Sequence, residues 1–324
     1  MNPVYELNRL FESAINHYAS DIHFHPLKSK AVIKFRVDGE LLDKQEMSID
    51  DYALMINRIK VLANLSSTNS IKPMDGRFSF TIDNRMKDLR ISVVPSLYGD
   101  NVVVRILSEK KDIPSIEEIG LSKKLADKTK QILDNKEGLL LVVGPTGSGK
   151  TTTVYSMLNY LYSKSPNMHI VTIEDPIEYQ YPEFTQIQVN EKIELSFSEV
   201  LRAVLRQDPD IILIGEIRDE NTARIAVRAS LTGHLVFATI HSNDNFSSIN
   251  RFLEFRVNPN LFADSLLAVY SQRLDKQQCF RCKGNGCKKC FGKGYSGRQG
   301  DFKLLVNDDK LKSQIKNEMR GLNQ

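Results

Sequence analysis

Eight consecutive residues, Gly144-Pro145-Thr146-Gly147-Ser148-Gly149-Lys150-Thr151, fit the spacing G-x-x-x-x-G-K-[ST]. Glycines at these positions let backbone N–H groups close around phosphate oxygens. Lys150 can supply charge to β- and γ-phosphates, and the Thr151 hydroxyl can hold Mg²⁺. The phosphate-contacting stretch runs on to Thr152 in the first helical turn. A second cluster is Cys279-x₂-Cys282-x₄-Cys287-x₂-Cys290, which holds all four cysteines of the chain. Four thiolates suit tetrahedral Zn²⁺, and a closed Cys₄ set leaves no open coordination position, so the expected metal role is structural. Cys282-Lys-Gly284-Asn-Gly286 and Cys290-Phe-Gly292-Lys-Gly294 repeat one phrase eight residues apart, with glycines free to turn N–H groups toward sulfur.

Acids are needed to complete phosphate chemistry. Asp210-Ile-Ile-Leu-Ile-Gly215-Glu216 is an apolar strand ending in a carboxylate, with Gly215 where a further Asp is usual. Glu174, in Thr-Ile-Glu174-Asp175-Pro-Ile-Glu178, ends the preceding predicted strand, and both strand ends should open onto one crevice. Glu216 is assigned to Mg²⁺, through water, and Glu174 to orienting the attacking water; the reverse division stays open at this point. His234 and His241 bracket the predicted strand Leu235 to Ile240. Seven residues at about 3.3 Å each separate them by roughly 23 Å, so only His241, at the carboxyl end, can sense a γ-phosphate. His234 is left for an interface or a structural role.

The elements that must position these groups fall into two patterns. Val4, Leu7, Leu10, Phe11, Ala14, Ile15 and Tyr18 recur at helical spacing. Strand-like segments follow at residues 22–25 and 31–37, with Asp38-Gly39 as a hairpin signal. A helix around residues 52–65, a polar loop at 66–70 and strands at 77–82, 88–94 and 101–107 complete an α+β domain spanning 1–107. Residues 108–121 are the expected linker. From 122 to 275 apolar strands (139–143, 169–174, 211–214, 235–240) alternate with helices (122–135, 151–162, 197–206, 221–231), which implies a parallel sheet with crossover helices. Residues 276–324 are expected to form a separate zinc-knuckle segment.

With 324 residues, 41% of them hydrophobic and 26% charged, disorder and fibrous architectures are excluded. Net charge is only +4, but residues 270–324 carry 13 basic and 5 acidic side chains, so the remainder is net −4. Apolar runs such as Leu139–Val143 fall far short of the ~20 residues that span a bilayer, and residues 1–10 lack a signal-peptide pattern. Clustered cysteines without a disulfide pattern fit a reducing compartment, so a cytoplasmic location is expected.

The runs Thr-Ile-Glu174-Asp175-Pro-Ile-Glu178-Tyr, Arg206-Gln-Asp208-Pro-Asp210, Gly215-Glu216-Ile-Arg218-Asp219 and Thr-Gly233-His234-Leu-Val-Phe-Ala-Thr-Ile-His241-Ser-Asn-Asp244 resemble the Asp box, Walker B and His box of the type II secretion and type IV pilus ATPases. Ser20-Asp21, Arg36-Val-Asp38-Gly39, Asp75-Gly76-Arg77, Leu89-Arg90 and Val104-Arg105 are similar to the small domain preceding their motor core. The resemblance implies an α/β fold: a P-loop RecA-like parallel-sheet core, a small α+β (PAS-like) domain before it and a zinc-knuckle tail. It implies a homo-hexameric ring hydrolysing ATP with Mg²⁺ and carrying structural Zn²⁺. Small-domain arginines then meet the γ-phosphate; Arg90 and Arg105 match, Arg77 less closely. Lys303 stands where the family tail usually has an acidic residue. The resemblance also implies peripheral recruitment to the inner face of the cell membrane by a polytopic platform protein, with the basic tail near that partner or anionic lipid.

The tetracysteine is similar to that of extension and secretion motors, and retraction motors lack it. The small domain begins by about residue 20, without the long N-terminal extension of many assembly motors, and this points to the ATPase of the Gram-positive competence pseudopilus. DNA is then handled by the apparatus rather than bound directly. The competing expectation is a DNA-gripping motor. Its tail has few aromatics on which bases could stack.

Overall fold

The computed structural model describes residues 2–66, 72–82, 85–109, 113–190, 193–242 and 244–318. Two units divide the chain, Met1–Ser108 and Glu109–Gln324.

The first unit is an antiparallel sheet with two helices on one face. Helix α1 (Pro3–Asn16) starts at Asn2, whose side chain accepts from the Val4 and Tyr5 N–H groups, with Pro3 at its first position. Strands β1 (Asp21–Pro26), β2 (Ala31–Val37) and β3 (Glu40–Met47) form a meander, and the β2–β3 turn places Asp38 and Gly39 at φ 54° and 85°, as a type I′ hairpin requires. Helix α2 (Ile49–Leu62), capped by Ser48, is followed by β4 (Met74–Ile82), β5 (Arg85–Ser96) and β6 (Gly99–Ile106). The strand order is β3-β2-β1-β6-β5-β4. Leu7, Phe11 and Ala14 of α1, Met55 and Ile59 of α2, and the inward residues Ile22, Phe35, Ile91 and Val104 make one core. Residues 67–70 of the expected polar loop lie outside the described residues.

Strand β7 (Ser108–Glu109) comprises the last residue of the first unit and the first of the second. Within the expected linker, Ile113, Ile116, Ile119 and Leu121 are buried against helix α3 (Lys123–Leu133), because their spacing by two and three turns one side inward. The sheet is built from β8 (Gly138–Val143), β9 (Ile170–Glu174), β11 (Thr185–Gln188), β12 (Ile211–Ile214), β13 (Leu235–Ile240), β14 (Leu266–Gln278) and β15 (Tyr295–Val306). Its order is β11-β9-β12-β13-β8-β14-β15. All neighbours are parallel except β15, which returns antiparallel to β14. The short β10 (Tyr179–Gln180) lies between β9 and β11 in the chain. Helices α4 (Lys150–Lys164), α5 (Phe197–Val204), α6 (Glu220–Ala229), α7 (Asn245–Glu254), α8 (Pro259–Ser265) and α9 (Asp309–Glu318) complete it.

Alternate residues of one strand serve opposite cores. Leu139, Leu141 and Val143 of β8 join residues of α5, α6, α7 and α8, whereas Leu140 and Val142 join α3 and α4. Burial on both faces explains why these strands read as unbroken apolar runs. No boundary falls at residue 275: β14 crosses it, and β14 and β15 are the last two strands of the sheet, with the cysteine segment as the loop between them. Among the described residues no helix is long and apolar enough to cross a membrane.

Candidate functional site: a phosphate-binding loop, its acids and a cysteine knuckle

The loop from Gly144 to Gly149 leaves the carboxyl end of β8 and enters α4, the position at which a parallel sheet offers its ligand crevice. Gly144 packs so tightly that an added Cβ would lie 2.5 Å from both the Gln272 carbonyl oxygen and Ser148 Oγ. Gly149 sits at φ 87°, in the left-handed region, directly before α4. Lys150 Nζ donates to the carbonyls of Gly144 (2.9 Å) and Pro145 (3.1 Å), folding the side chain back across the loop. Burial pushes its ammonium pKa down, with Glu216 and Glu178 opposing. Thr146 and Gly147 form the exposed outer turn, Ser148 is buried beneath it, and Thr151 is half-buried in the first turn of α4. The Thr152 hydroxyl is engaged with the Tyr179 hydroxyl at 2.9 Å, so its contribution to a phosphate would come from its backbone N–H, in the first turn of α4 where such groups lack an intrahelical acceptor. The free N–H groups, helix N-terminus and lysine match a nucleotide polyphosphate.

Glu174 and Glu216 follow adjacent strands, since Ile173 of β9 pairs with Ile214 of β12. Their surroundings differ. Glu174 is 3% exposed, and its Oε1 accepts from Tyr155 Oη and Thr172 Oγ1, both at 2.6 Å. Gln186 Nε2 in turn donates to Tyr155 Oη at 2.7 Å. Burial raises the Glu174 pKa above the ordinary glutamate value, and the hydroxyl donors hold it back. Gly215 is needed beside it, because a Cβ there would stand 2.9 Å from the Ile173 carbonyl oxygen. This contact accounts for a glycine at the position where an acid was expected.

Glu216 lies in a charged cluster. Its Oε2 accepts from Arg218 Nε at 2.7 Å and its Oε1 stands 3.2 Å from His241 Nε2. Arg218 also reaches Asp175 at 3.6 Å. His241 therefore joins the acid, while His234, at the other end of β13, contacts the Ala229 carbonyl at 3.0 Å.

In the first unit the matched arginines share a register. Arg77 pairs with Arg90, Arg90 with Arg105, Arg105 with Asp21 and Asp21 with Arg36. Residues directly opposite share a face, and this row lies on the face away from α1 and α2. Arg105 Nε donates to the buried Asp21 at 2.9 Å, and Arg36 Nε stands 3.9 Å from the same carboxylate. Asp21 and Arg36 were not expected to act with Arg105; only their place in adjacent strands reveals it.

The four cysteine sulfurs lie within 4.8 Å of one another, with Cys279–Cys287 at 3.9 Å, Cys282–Cys290 at 3.6 Å and Cys287–Cys290 at 3.8 Å. A tetrahedron with Zn–S of about 2.3 Å has edges of about 3.8 Å, so the donor set fits Zn²⁺. Both repeats fold alike: Lys283 and Phe291 stand at φ 47° and 52°, and each is followed by a left-handed glycine. An added Cβ at Gly294 would lie 2.3 Å from the Gly284 carbonyl oxygen, which is why glycine is required where the repeats meet. The Cys287 and Gly294 N–H groups donate to Cys290 Sγ at 3.1 and 3.3 Å, the arrangement that favours thiolate.

A phosphate loop after β8, with acids at the carboxyl ends of β9 and β12 on the far side of β13 in the same sheet, defines a P-loop nucleotide-binding protein. The match is wider than that class. The chain belongs to the type II/IV secretion system protein family, whose description matches residues 2–323. It is 42% identical over 314 residues to the type II secretion system protein HxcR of Pseudomonas aeruginosa, covering 94% of this chain and 66% of that one. With the type IV pilus assembly ATPase PilB of Thermus thermophilus it shares 38% over 324 residues, 92% of this chain and 36% of the other. The crystal structure of the pilus retraction motor PilT with bound ADP superposes with a TM-score of 0.70 at 29% identity, covering 98% and 88% of the two chains. The chain thus spans about two thirds of HxcR and about a third of PilB.

Proposed function

We propose that this protein is an ATP hydrolase that powers assembly of a type IV-like pilus or secretion pseudopilus, working as a homo-hexameric ring against a polytopic membrane platform protein. The observation that carries the reading is the joint placement of Lys150, Glu174 and the Glu216–Arg218–His241 cluster around the carboxyl ends of β8, β9, β12 and β13. Gly144 to Thr152 would hold ATP, and Thr151 with Glu216 would hold Mg²⁺, which supplies charge neutralisation at the phosphates when bound. Glu174, desolvated and held by Tyr155 and Thr172, suits the task of orienting water and taking its proton, since a raised pKa makes a better base. His241 touches Glu216 and can relay the state of the γ-phosphate to β13. Arg90 and Arg105 would neutralise phosphoryl oxygens as charge develops.

The cysteine knuckle supports assembly rather than retraction, with Zn²⁺ in a structural role. Within that class our reading is the competence pseudopilus, in which DNA passes through the apparatus and the motor stays on the cytoplasmic side at the inner face of the membrane. A deletion strain complemented with wild type or Glu216→Gln tests this. Loss of both pseudopilus and DNA uptake, restored only by wild type, is expected; uptake that survives the deletion refutes the competence reading.

A further inference from the structure

We propose that Gln272 is a positioning residue for the phosphate loop, fixing the Ser148–Gly149 peptide so that the Gly149 N–H faces the bound phosphate. The inference rests on the nucleotide reading above. Strand β14 lies beside β8 with Ser271 opposite Val143, so Gln272 falls alongside the first residue of the loop. Its backbone carbonyl is, with Ser148 Oγ, one of the two groups that forbid a side chain at Gly144. Its side chain passes beneath the loop, where Nε2 donates to the Ser148 carbonyl at 2.6 Å and stands 3.2 Å from the point a Cβ on Gly149 would occupy.

The direction of that bond decides its consequence. A carbonyl oxygen only accepts, so the amide nitrogen must face it. The Ser148 carbonyl and the Gly149 N–H belong to one planar trans peptide and point opposite ways. Holding the carbonyl against β14 therefore turns the N–H outward, into the cradle formed by the loop and the N-terminus of α4.

Packing alone does not account for this side chain. Gln272 is 3% exposed and its Oε1 has no hydrogen-bond partner among the described residues, a cost that methionine, of similar length, would not carry. The polar side chain is explained by the one bond it makes.

The test is titration of the purified full chain with N-methylanthraniloyl-ADP, competed with unlabelled ADP and AMP, on wild type, Gln272→Met and Gln272→Glu. Loss of the donor should weaken ADP about tenfold in the methionine variant, the upper range for one net hydrogen bond. AMP, which presents no β-phosphate, should compete within about twofold of its wild-type strength. KM for ATP should rise more than kcat falls. The glutamate variant, setting a carboxylate against a carbonyl, should lose more than the methionine variant. Equal ADP affinity in wild type and methionine variant overturns the inference, as does equal loss for ADP and AMP. Should the methionine variant not fold, a glutamate variant that binds ADP like wild type overturns it. Wild type that fails to bind ADP overturns the nucleotide reading itself.

Discussion

Tyr155→Phe removes the hydroxyl that donates to Glu174 and accepts from Gln186. Phenylalanine keeps the ring contacts with Tyr179 (5.1 Å between centroids) and Phe184 (6.5 Å), so packing is preserved and only the hydroxyl is lost. That hydroxyl donates to a carboxylate that is almost wholly buried. A hydrogen bond to a charged group is worth about 1.5–3 kcal/mol, and a tenfold change corresponds to about 1.4 kcal/mol, so losing the bond that orients the carboxylate should lower kcat roughly 10- to 100-fold, the lost orientation outweighing the gain in basicity. KM should stay near wild type, because Tyr155 faces the acid and not the loop. The sign of the pH effect follows from the same bond. Burial raises the Glu174 pKa and the Tyr155 donor lowers it, so removing the donor raises it further. The acid limb of the kcat profile, already above the ordinary glutamate value, should move to higher pH. Stability should respond in the same sense: a carboxyl with a raised folded pKa contributes fully below its unfolded pKa and loses that contribution as pH rises through the folded value. The melting temperatures of variant and wild type should therefore converge as pH falls. An acid limb that does not move, with kcat within twofold of wild type, refutes the role given to Glu174.

Lys150→Ala should abolish binding of ADP, measured by calorimetry, while the apo protein keeps its far-ultraviolet spectrum. Arg105→Ala should lower kcat at least tenfold and leave ADP affinity within threefold, since its charge is needed where phosphoryl charge develops; an equal loss in both would place Arg105 in ground-state binding. Cys282→Ser, or zinc chelation, should lower the melting temperature and abolish the one zinc per chain expected by elemental analysis, because the knuckle closes the β14–β15 hairpin; protein purified metal-free with an unchanged melt would refute the structural role. DNA-stimulated hydrolysis that vanishes on adding salt would favour a nucleic-acid motor; the account expects no stimulation.

Much of the site was legible because its groups are contiguous in sequence. The phosphate loop needs its glycines, lysine and threonine in one run, and the cysteines repeat one phrase, so both could be read as units. Glu174 and Glu216 could be singled out because each stands at or just after the end of a mainly apolar strand. The network that conditions Glu174 was not, because Tyr155, Thr172 and Gln186 come from α4, β9 and β11, and only the fold brings them together. Ser271 and Gln272 follow an apolar run that stops at Tyr270, a signal easily taken for the end of a strand; β14 instead continues to Gln278 as it pairs with β15. Helices α7 and α8 are short, ten and seven residues, and depend on caps at Asp244 and Asn258 more than on apolar periodicity. Arg218 could be read only as a member of the Gly215–Asp219 run, and its pairing with Glu216 and Asp175 emerges from the fold.

The central claim is hydrolysis of ATP at this loop, and phosphate release by the purified protein in Mg²⁺ measures it directly. The account predicts turnover by wild type, turnover reduced at least a hundredfold by Glu216→Gln, and ADP affinity in that variant close to wild type. Equal phosphate release from wild type and Glu216→Gln would contradict it.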